Sequence, residues 1–499
     1  MSSAISSRFT AVVGLEVHVQ LNLLESKLFS RATGARPGQL ARVNTTVSAF
    51  DASFPGTYPR LNNEAVAQAI RTALALKARI SKRSTFDRKH YYYYDLPLGY
   101  QITQQRMPLA TGGYLTLSQS GKQLRLSRVQ LEQDSGRIMK TNRWTRELNS
   151  LRNSCASTLV DLNRSGVALV ELVFEPDLRT PEEAGDALRT LISLLRHIGV
   201  CDGDMEKGSI RADLNISLVR SSSLPNSGST NDITEKGKLL GGQRVEIKNM
   251  NSVRYLEQAT AYEIKRQASL ISVGSQDRLV KSETRGFDPK SKRTYRQRSK
   301  ADNIDYRFIP EPDLGTLVVS AHDIAKVVAT LPELPEKMME RLTGSRASEH
   351  IYDDHDDGVT YGLSNYNARV LMSDPKAVQL FEDTVNYRRE RLVSGEINLN
   401  DQLYRMNPEP NLVAKWITND LFGAMRQHGI ESTSSLPITA QHLSELILLI
   451  QHDIITAASA KRVLTVILDE GLGMQNCSPK EEPTPPMKIK NPYLVNMLL

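Results

Sequence analysis

The stretch AVVGLEVHVQL, residues 11–21, alternates apolar and polar side chains and is rich in valine, which predicts a strand with one buried face. Val13, Leu15, Val17 and Val19 fall on one side, and Glu16 and His18, two residues apart, fall together on the other. The same type of pattern recurs along the first 320 residues. ALVELVFEP (168–176) reads as a strand stopped by Pro176, and SIRADLNISLV (209–219) and RVEIKNM (244–250) read as two more. GYLTLSQSGKQLRLSRVQLEQDSG (113–136) predicts a hairpin turning near Ser120–Gly121, followed by a longer strand. Helical spacing marks 63–80 after Asn62–Asn63, 180–199 and 252–271. In the second of these Thr180 is placed as N-cap, Pro181 at the first turn, Glu182 and Glu183 at the positive end of the dipole and Gly199 at the C-cap.

Beyond about residue 320 the chain becomes short helices punctuated by Pro and Gly, with a further helical unit from about 410 to 472. The Ser/Gly/Asn/Pro-rich residues 221–242 read as an insertion, 345–358 (with DDHDD) as a solvated acidic loop and 473–490 as irregular. The chain of 499 residues carries 63 Lys and Arg against 56 Asp and Glu, a net charge of +7. Such a composition excludes a collagen, a coiled-coil rod and a chain disordered throughout, and no apolar run is long enough to predict a membrane-spanning helix. Cys155, Cys201 and Cys477 are dispersed and odd in number, which speaks against a disulfide framework and a cysteine zinc site. The cations crowded into 278–300 fit either a solvated loop or a surface facing a polyanion.

There is no GxxxxGK[ST], GxGxxG after a strand, nucleophile elbow or HExxH. What stands out is acids on strands. Besides Glu16 and His18, Glu132 with Asp134, Glu171, Asp213 with Asn215, and Glu246 with Lys248 take mid-strand or strand-end positions, and Glu206 precedes one strand. Glu171 sits inside LVELV, where a carboxylate is costly unless a positive group meets it. Together these side chains predict one polar sheet face suited to a divalent cation; carboxylate oxygens favour magnesium, and the imidazole would suit manganese or zinc as well. FDRKHYYYYDLPLGYQITQQ (86–105) sets Tyr91 to Tyr94 among Arg88, Lys89 and His90, which fits either nucleotide or RNA contact or a Tyr-rich strand packed on both faces.

GLEVHVQL, FDRKHYYYYDLPLGYQI, LEQDSG, LVDLNRSGVALVELVFEPDLRTPEEA, MEKGSIRADLNISL, RVEIKNMNS, ETRGFD and DYRFIPEPDL follow one another here. In that order they resemble the B subunit of the glutamyl-tRNA(Gln)/aspartyl-tRNA(Asn) amidotransferases, over roughly residues 11–470. The resemblance implies an α+β fold, with a cradle domain (1–320) around an antiparallel sheet, a helical domain (321–409) and a helical tail domain (410–499) that looks shortened. It implies a ligase subunit that uses ATP and Mg2+ to phosphorylate the Glu side chain of Glu-tRNA(Gln), and then to place ammonia on it, giving Gln-tRNA(Gln). Its expected partners are an amidase A subunit, which releases ammonia from glutamine, a small C-type or F-type subunit, and the tRNA. Glu16, His18, Glu132, Glu171 and Asp213 match the metal site. Lys89 matches a lysine near the nucleotide and acceptor-end pocket, and Glu206, Asn215, Glu246, Lys248, Asn249 and Asn251 match pocket lining. Glu16, His18, Lys89, Glu171 and Asp213 are the expected catalytic set, with no covalent nucleophile.

Gln133 stands where many bacterial members carry a second Glu, as in mitochondrial-type members, and would hold a metal with one charge fewer. The early zinc-binding cysteines of some members are missing from 28–60. Gln133, the basic balance and the Ser/Arg-containing start point to the mitochondrial matrix. The alternative function is a tRNA-binding scaffold subunit whose catalytic site has decayed.

Overall fold

The structure is a computed structural model that describes residues 9–21, 24–34, 42–139, 158–220, 243–272, 280–299, 305–344, 360–393, 407–430, 433, 436 and 438–475. The expected insertion at 221–242, the acidic stretch 345–358, the first eight residues and the tail from 476 onward lie outside the described residues.

Among the described residues ten strands form one large sheet. At its centre β1 (Phe9–Gln20) lies between β11 (Ala168–Phe174) and β12 (Ile210–Arg220), antiparallel to both. Beyond β11 come β8 (Gln123–Gln133), β6 (Ala110–Thr111) and β2 (Arg79–Ile80), with β7 (Tyr114–Thr116) also on β8. Beyond β12 come β13 (Val245–Met250), β14 (Glu283–Asp288) and β15 (Arg293–Ser299). Every pairing is antiparallel except β13–β14. That pair is parallel because α3 (Val253–Ser272) crosses over between its strands. Three small sheets lie beside the large sheet among the described residues: β4 (Asp87–His90) with β5 (Tyr100–Thr103) and β16 (Ile309–Pro310), β3 (Arg83–Ser84) with β17 (Leu317–Val318), and β9 (Arg137–Met139) with β10 (Leu159–Asp161).

The alternation read in 11–21 is realised directly. Val13, Leu15, Val17 and Val19 are buried, as are Leu214, Ile216, Val170, Leu172, Val129 and Leu131 on the neighbouring strands. Each such side chain stabilises the fold by about 1.5–3 kcal/mol relative to exposure. Helices α1 (Asn63–Ala75), α2 (Pro181–His197) and α3 cover this apolar side, α1 against β8 and α3 against β12 and α2. The Asn62 side chain caps α1 by accepting from Glu64 N and Ala65 N. This helix ends at Ala75 rather than reaching Ile80, because Lys77 turns left-handed (φ 57°) and Arg79–Ile80 pair with β6. Thr180 caps α2 by accepting from Glu183 N; Ile198 closes the helix and Gly199 follows at φ 68°. Gly185 allows α2 and α3 to approach, since a Cβ there would run into Glu257.

The chain divides into two compact units, Met1–Pro332 and Glu333–Leu499. The change to helical character near 320 precedes this division because α4 (Ala321–Ala329) packs on α1 and so belongs to the first unit. The second unit is helical: α5 (Pro335–Thr343), α6 (Asn365–Leu371), α7 (Pro375–Val393), α8 (Pro410–Lys415), a π-helical turn at Trp416–Leu421, α9 (Phe422–Gln427), α10 (Ala440–Gln451) and α11 (Ala457–Gln475). Phe381 and Val385, before the expected 409/410 boundary, share one core with Trp416, Ile417, Ile447 and Leu468 beyond it. No helix among the described residues is long and apolar enough to cross a membrane.

Arg125 of β8 forks onto Asp177, just past β11, with Nε–Oδ2 at 2.9 Å and Nη2–Oδ1 at 2.8 Å. Burial works against the Asp177 carboxylate, but the Arg125 hydrogen bonds prevail and hold its pKa below the usual range. A depressed folded-state pKa contributes stability that is present above the unfolded value of about 4 and is lost as pH falls from there through the lower folded-state value. Asp177→Asn is therefore expected to cost about 1–3 kcal/mol at pH 7. In urea titrations at pH 7, 4 and 3 the gap to the parent protein should narrow between pH 4 and pH 3.

Candidate active site and metal centre

Residues directly opposed in an antiparallel ladder share a sheet face. Glu16 is opposite Asp213 and Val173, His18 is opposite Glu171 and Arg211, and Gly14 is opposite Asn215. On β8, Gln130 is opposite Glu171 and Glu132 is opposite Leu169. One face of these central strands thus carries the acids together. Donor atoms of Glu16, His18 and Asp213 lie within 4.8 Å of one another, and so do those of His18, Glu132 and Glu171. His18 belongs to both groups, with Nε2 4.0 Å from Glu16 Oε1 and 3.9 Å from Glu132 Oε1.

Two irregularities aim the surrounding side chains. Ala212 pairs with Met250 and Leu214 with Ile247, so Asp213 faces two residues, Lys248 and Asn249, across a β-bulge. Asn249, at φ 61°, donates its backbone N–H to Asp213 Oδ1 at 2.8 Å, and Lys248 Nζ stands 3.5 Å from Asp213 Oδ2 and 3.2 Å from Glu246 Oε1. A second shift, between Val173 and Phe174, makes Ser127 the extra residue on β8.

The small β16–β4–β5 sheet reaches over the acids. Lys89 of β4 places Nζ 3.8 Å from Glu132 Oε2 and 5.4 Å from the centre of the Tyr306 ring. Gln101 of β5 donates to Glu132 Oε1 and accepts from the Tyr91 hydroxyl at 2.9 Å. Gln130 donates to Glu171 and to Thr103 Oγ1 of β5. Tyr91 is partly buried, whereas Tyr92, Tyr93 and Tyr94 are 86%, 52% and 75% exposed beyond the end of the strand, so the run does not form a strand packed on both faces.

Burial, and then the charge of Glu171, push the Glu16 carboxyl up to about 7. Burial, and then Glu132, raise Glu171 as well. Burial alone would lower Lys89, but Glu132 and Glu171 outweigh it and hold its ammonium above the ordinary lysine value; Asp213 and Glu246 do the same for Lys248. Glu132 Oε2 and Gln130 Oε1 are buried without a hydrogen-bond partner among the described residues. Crowded acids that resist ionisation and orphaned oxygens beside one imidazole fit a hard divalent ion such as Mg2+ or Mn2+.

Next to these acids is a cavity of about 530 Å3 whose lining includes Glu16, Arg128, Val173, Asn215, Ser217 and Glu246. Arg128 Nε is buried there without a hydrogen-bond partner among the described residues. The expected residues Glu16, Asn215 and Glu246 therefore converge. Glu206 does not: it is exposed on a turn organised by Asp204, whose carboxylate accepts from Glu206 N and Lys207 N before β12 begins. Asp134 also leaves the acids, taken up by Arg211 at 2.8 Å and Arg164 at 3.5 Å just past the end of β8. By register Gln133 points away from the face that bears Glu132. Gln130 and Arg128 continue the two-residue period from Glu132, and Ser217 that from Asp213 and Asn215, so all three were within reach of sequence reasoning; Gln101 offers no comparable signal.

Residues 11–325 match the model of the GatB/GatE catalytic domain, and residues 400–481 match that of the GatB domain. The chain is 39% identical to the mitochondrial glutamyl-tRNA(Gln) amidotransferase B subunit of Phytophthora infestans, over 92% of this chain and 80% of that protein. It is 38% identical to the aspartyl/glutamyl-tRNA(Asn/Gln) amidotransferase B subunit of Rickettsia canadensis, over 93% and 83%, and 39% identical to that of Wolbachia pipientis, over 92% and 82%.

Glu171→Gln removes one buried like charge. In chelator-treated buffer its melting temperature should exceed the parent's by about 2 °C or more. Millimolar Mn2+ should raise the melting temperature of the parent and raise that of the variant less, as read by differential scanning calorimetry.

Proposed function

The chain belongs to the GatB/GatE family, and from that premise we propose that it is the subunit of a glutamyl-tRNA(Gln) amidotransferase that activates and amidates the mischarged tRNA. The reaction is a ligase reaction that forms a C–N bond with glutamine as nitrogen donor. Its partners would be an amidase A subunit and a small C-type or F-type subunit, and its place the mitochondrial matrix. The mitochondrial relative, the basic balance and Gln133 support that location. The observation that carries the reading is the convergence of Glu16, His18, Glu132, Glu171 and Asp213 beside a cavity large enough for a nucleotide.

The chemistry has two balanced steps. An oxygen of the substrate's Glu carboxylate attacks the γ-phosphorus of ATP, forming an acyl phosphate and releasing ADP. Ammonia then attacks the acyl carbon, phosphate leaves, and the nitrogen gives up a proton to yield the amide. Glu16, His18, Glu132, Glu171 and Asp213 would hold magnesium, which supplies neutralisation of the triphosphate charge when bound. Lys89 and Lys248, kept charged by the acids around them, orient anionic oxygens at the face. Arg128 and Asn215 bind within the cavity, and Gln101 and Gln130 hold Glu132 and Glu171 in place. Gln133 lies outside the donor set by register, so an uncharged residue there leaves that set complete and favours an enzyme over a decayed scaffold.

The test uses the assembled complex with ATP, Mg2+ and Glu-tRNA(Gln), and ammonium chloride in place of glutamine. Gln-tRNA(Gln) should form. Glu16→Ala and Asp213→Ala should each lower its formation by about a hundredfold or more, with tRNA affinity nearly unchanged. Turnover that survives both substitutions overturns the assignment, and tight tRNA binding without any turnover by the parent complex would mark a scaffold.

A further inference from the structure

Residues 281–298 hold seven Lys and Arg against two acids, a surplus of five out of the seven that the whole chain carries. In the structure they form the β14–β15 hairpin and its approach, at the edge of the large sheet among the described residues. Both acids are already engaged. Glu283 meets Arg266, Arg285 and Arg296, and Asp288 organises the turn by accepting from Lys290 N, Ser291 N and Ser291 Oγ. Lys290, Lys292 and Arg293 are exposed, with no ion-pair partner among the described residues. Lys292 is held at φ 52°, a conformation that glycine or asparagine would adopt at less cost.

A cationic edge by itself is accounted for by protection against edge-to-edge pairing. Tyr295 is not. It is 51% exposed on the same edge strand, where an exposed aromatic invites the association that the cations would prevent. It stands opposite Gly286, and a Cβ on Gly286 would collide with its ring, so the glycine lets the tyrosine lie against the sheet. The register sets Thr284, which donates to Glu246, and Gly286 on one face of β14. Tyr295 therefore shares the face that bears the acids, four strand spacings or about 19 Å from β1.

We propose that this hairpin is an RNA-docking surface, with Lys290, Lys292 and Arg293 meeting phosphates and Tyr295 stacking an unpaired base. An RNA engaged there has its reactive end free to reach the acids across the same face. The inference rests on the proposed function only for the identity of the RNA, a tRNA.

The test measures binding of a fluorescently labelled tRNA(Gln) transcript to the complete complex across a potassium chloride series. Lys290→Ala/Lys292→Ala/Arg293→Ala together should weaken binding about tenfold or more and reduce the slope of log K against log salt by about three. The charge-preserving Lys290→Arg/Lys292→Arg/Arg293→Lys should retain parent affinity. Tyr295→Ala should lose about tenfold with its salt slope unchanged, and Tyr295→Phe should retain affinity. Parent-like RNA affinity in the triple alanine variant overturns the proposal. This holds whether that variant is otherwise unchanged, aggregates as an unprotected edge would, or loses only its association with the other subunits. A parent complex that does not bind the transcript overturns this proposal and the tRNA reading together, whereas parent binding with unaffected variants overturns the hairpin alone.

Discussion

A slip of one residue between β1 and either neighbour would carry Glu16 and His18 into the layer of Val13, Leu15, Val17 and Val19 and bring those four out of it. That exchange would strand carboxylates among helices and expose several fully buried aliphatic groups, each worth about 1.5–3 kcal/mol. The hydrophobic layer therefore sets the register, and the register gathers acids from β1, β8, β11 and β12 at one place. No acid has to seek its neighbours. The helices on the far side of the sheet, by burying its valines and leucines, position the acids on the near side.

The gathered acids oppose folding. Glu16 and Glu171 both resist ionisation, Glu16 through burial and the charge of Glu171, and Glu171 through burial and the charge of Glu132, while two amide side chains, Gln101 and Gln130, hold oxygens of Glu132 and Glu171 in place. Lys89 and Lys248 compensate in part, at opposite sides of the group. Such an arrangement is kept at the expense of stability where function requires it. The bulge at Lys248 and Asn249 serves the same end. By placing two residues opposite Asp213 it supplies both an ammonium and a backbone N–H to one carboxylate.

Period two was enough to read the central strands and to place Glu16, His18, Glu171 and Asp213 on one face, because a strand's faces follow from local alternation alone. The capped helix after Thr180 was equally legible, its signals lying within one turn. Legibility failed where the deciding contact is distant in sequence. Asp134 resembles Glu132 locally, but Arg211, across the sheet, takes it away. Glu206 looks like a pocket residue until the Asp204 turn is seen to hold its backbone. Gln101 comes from a separate small sheet, and nothing in its own neighbourhood announces that it will grip Glu132. The parallel pairing of β13 with β14 likewise depends on where α3 returns the chain.

The grip of Gln101 on Glu132 has a thermodynamic corollary. Tyr91, at the root of the loop that bears the exposed tyrosines, hydrogen-bonds the same glutamine amide. One side chain thus links the acidic floor to the aromatic rim above it. Linkage is reciprocal: were an ion to fix Glu132 and through Gln101 one posture of that rim, a base captured by the rim in that posture would favour the ion to the same degree.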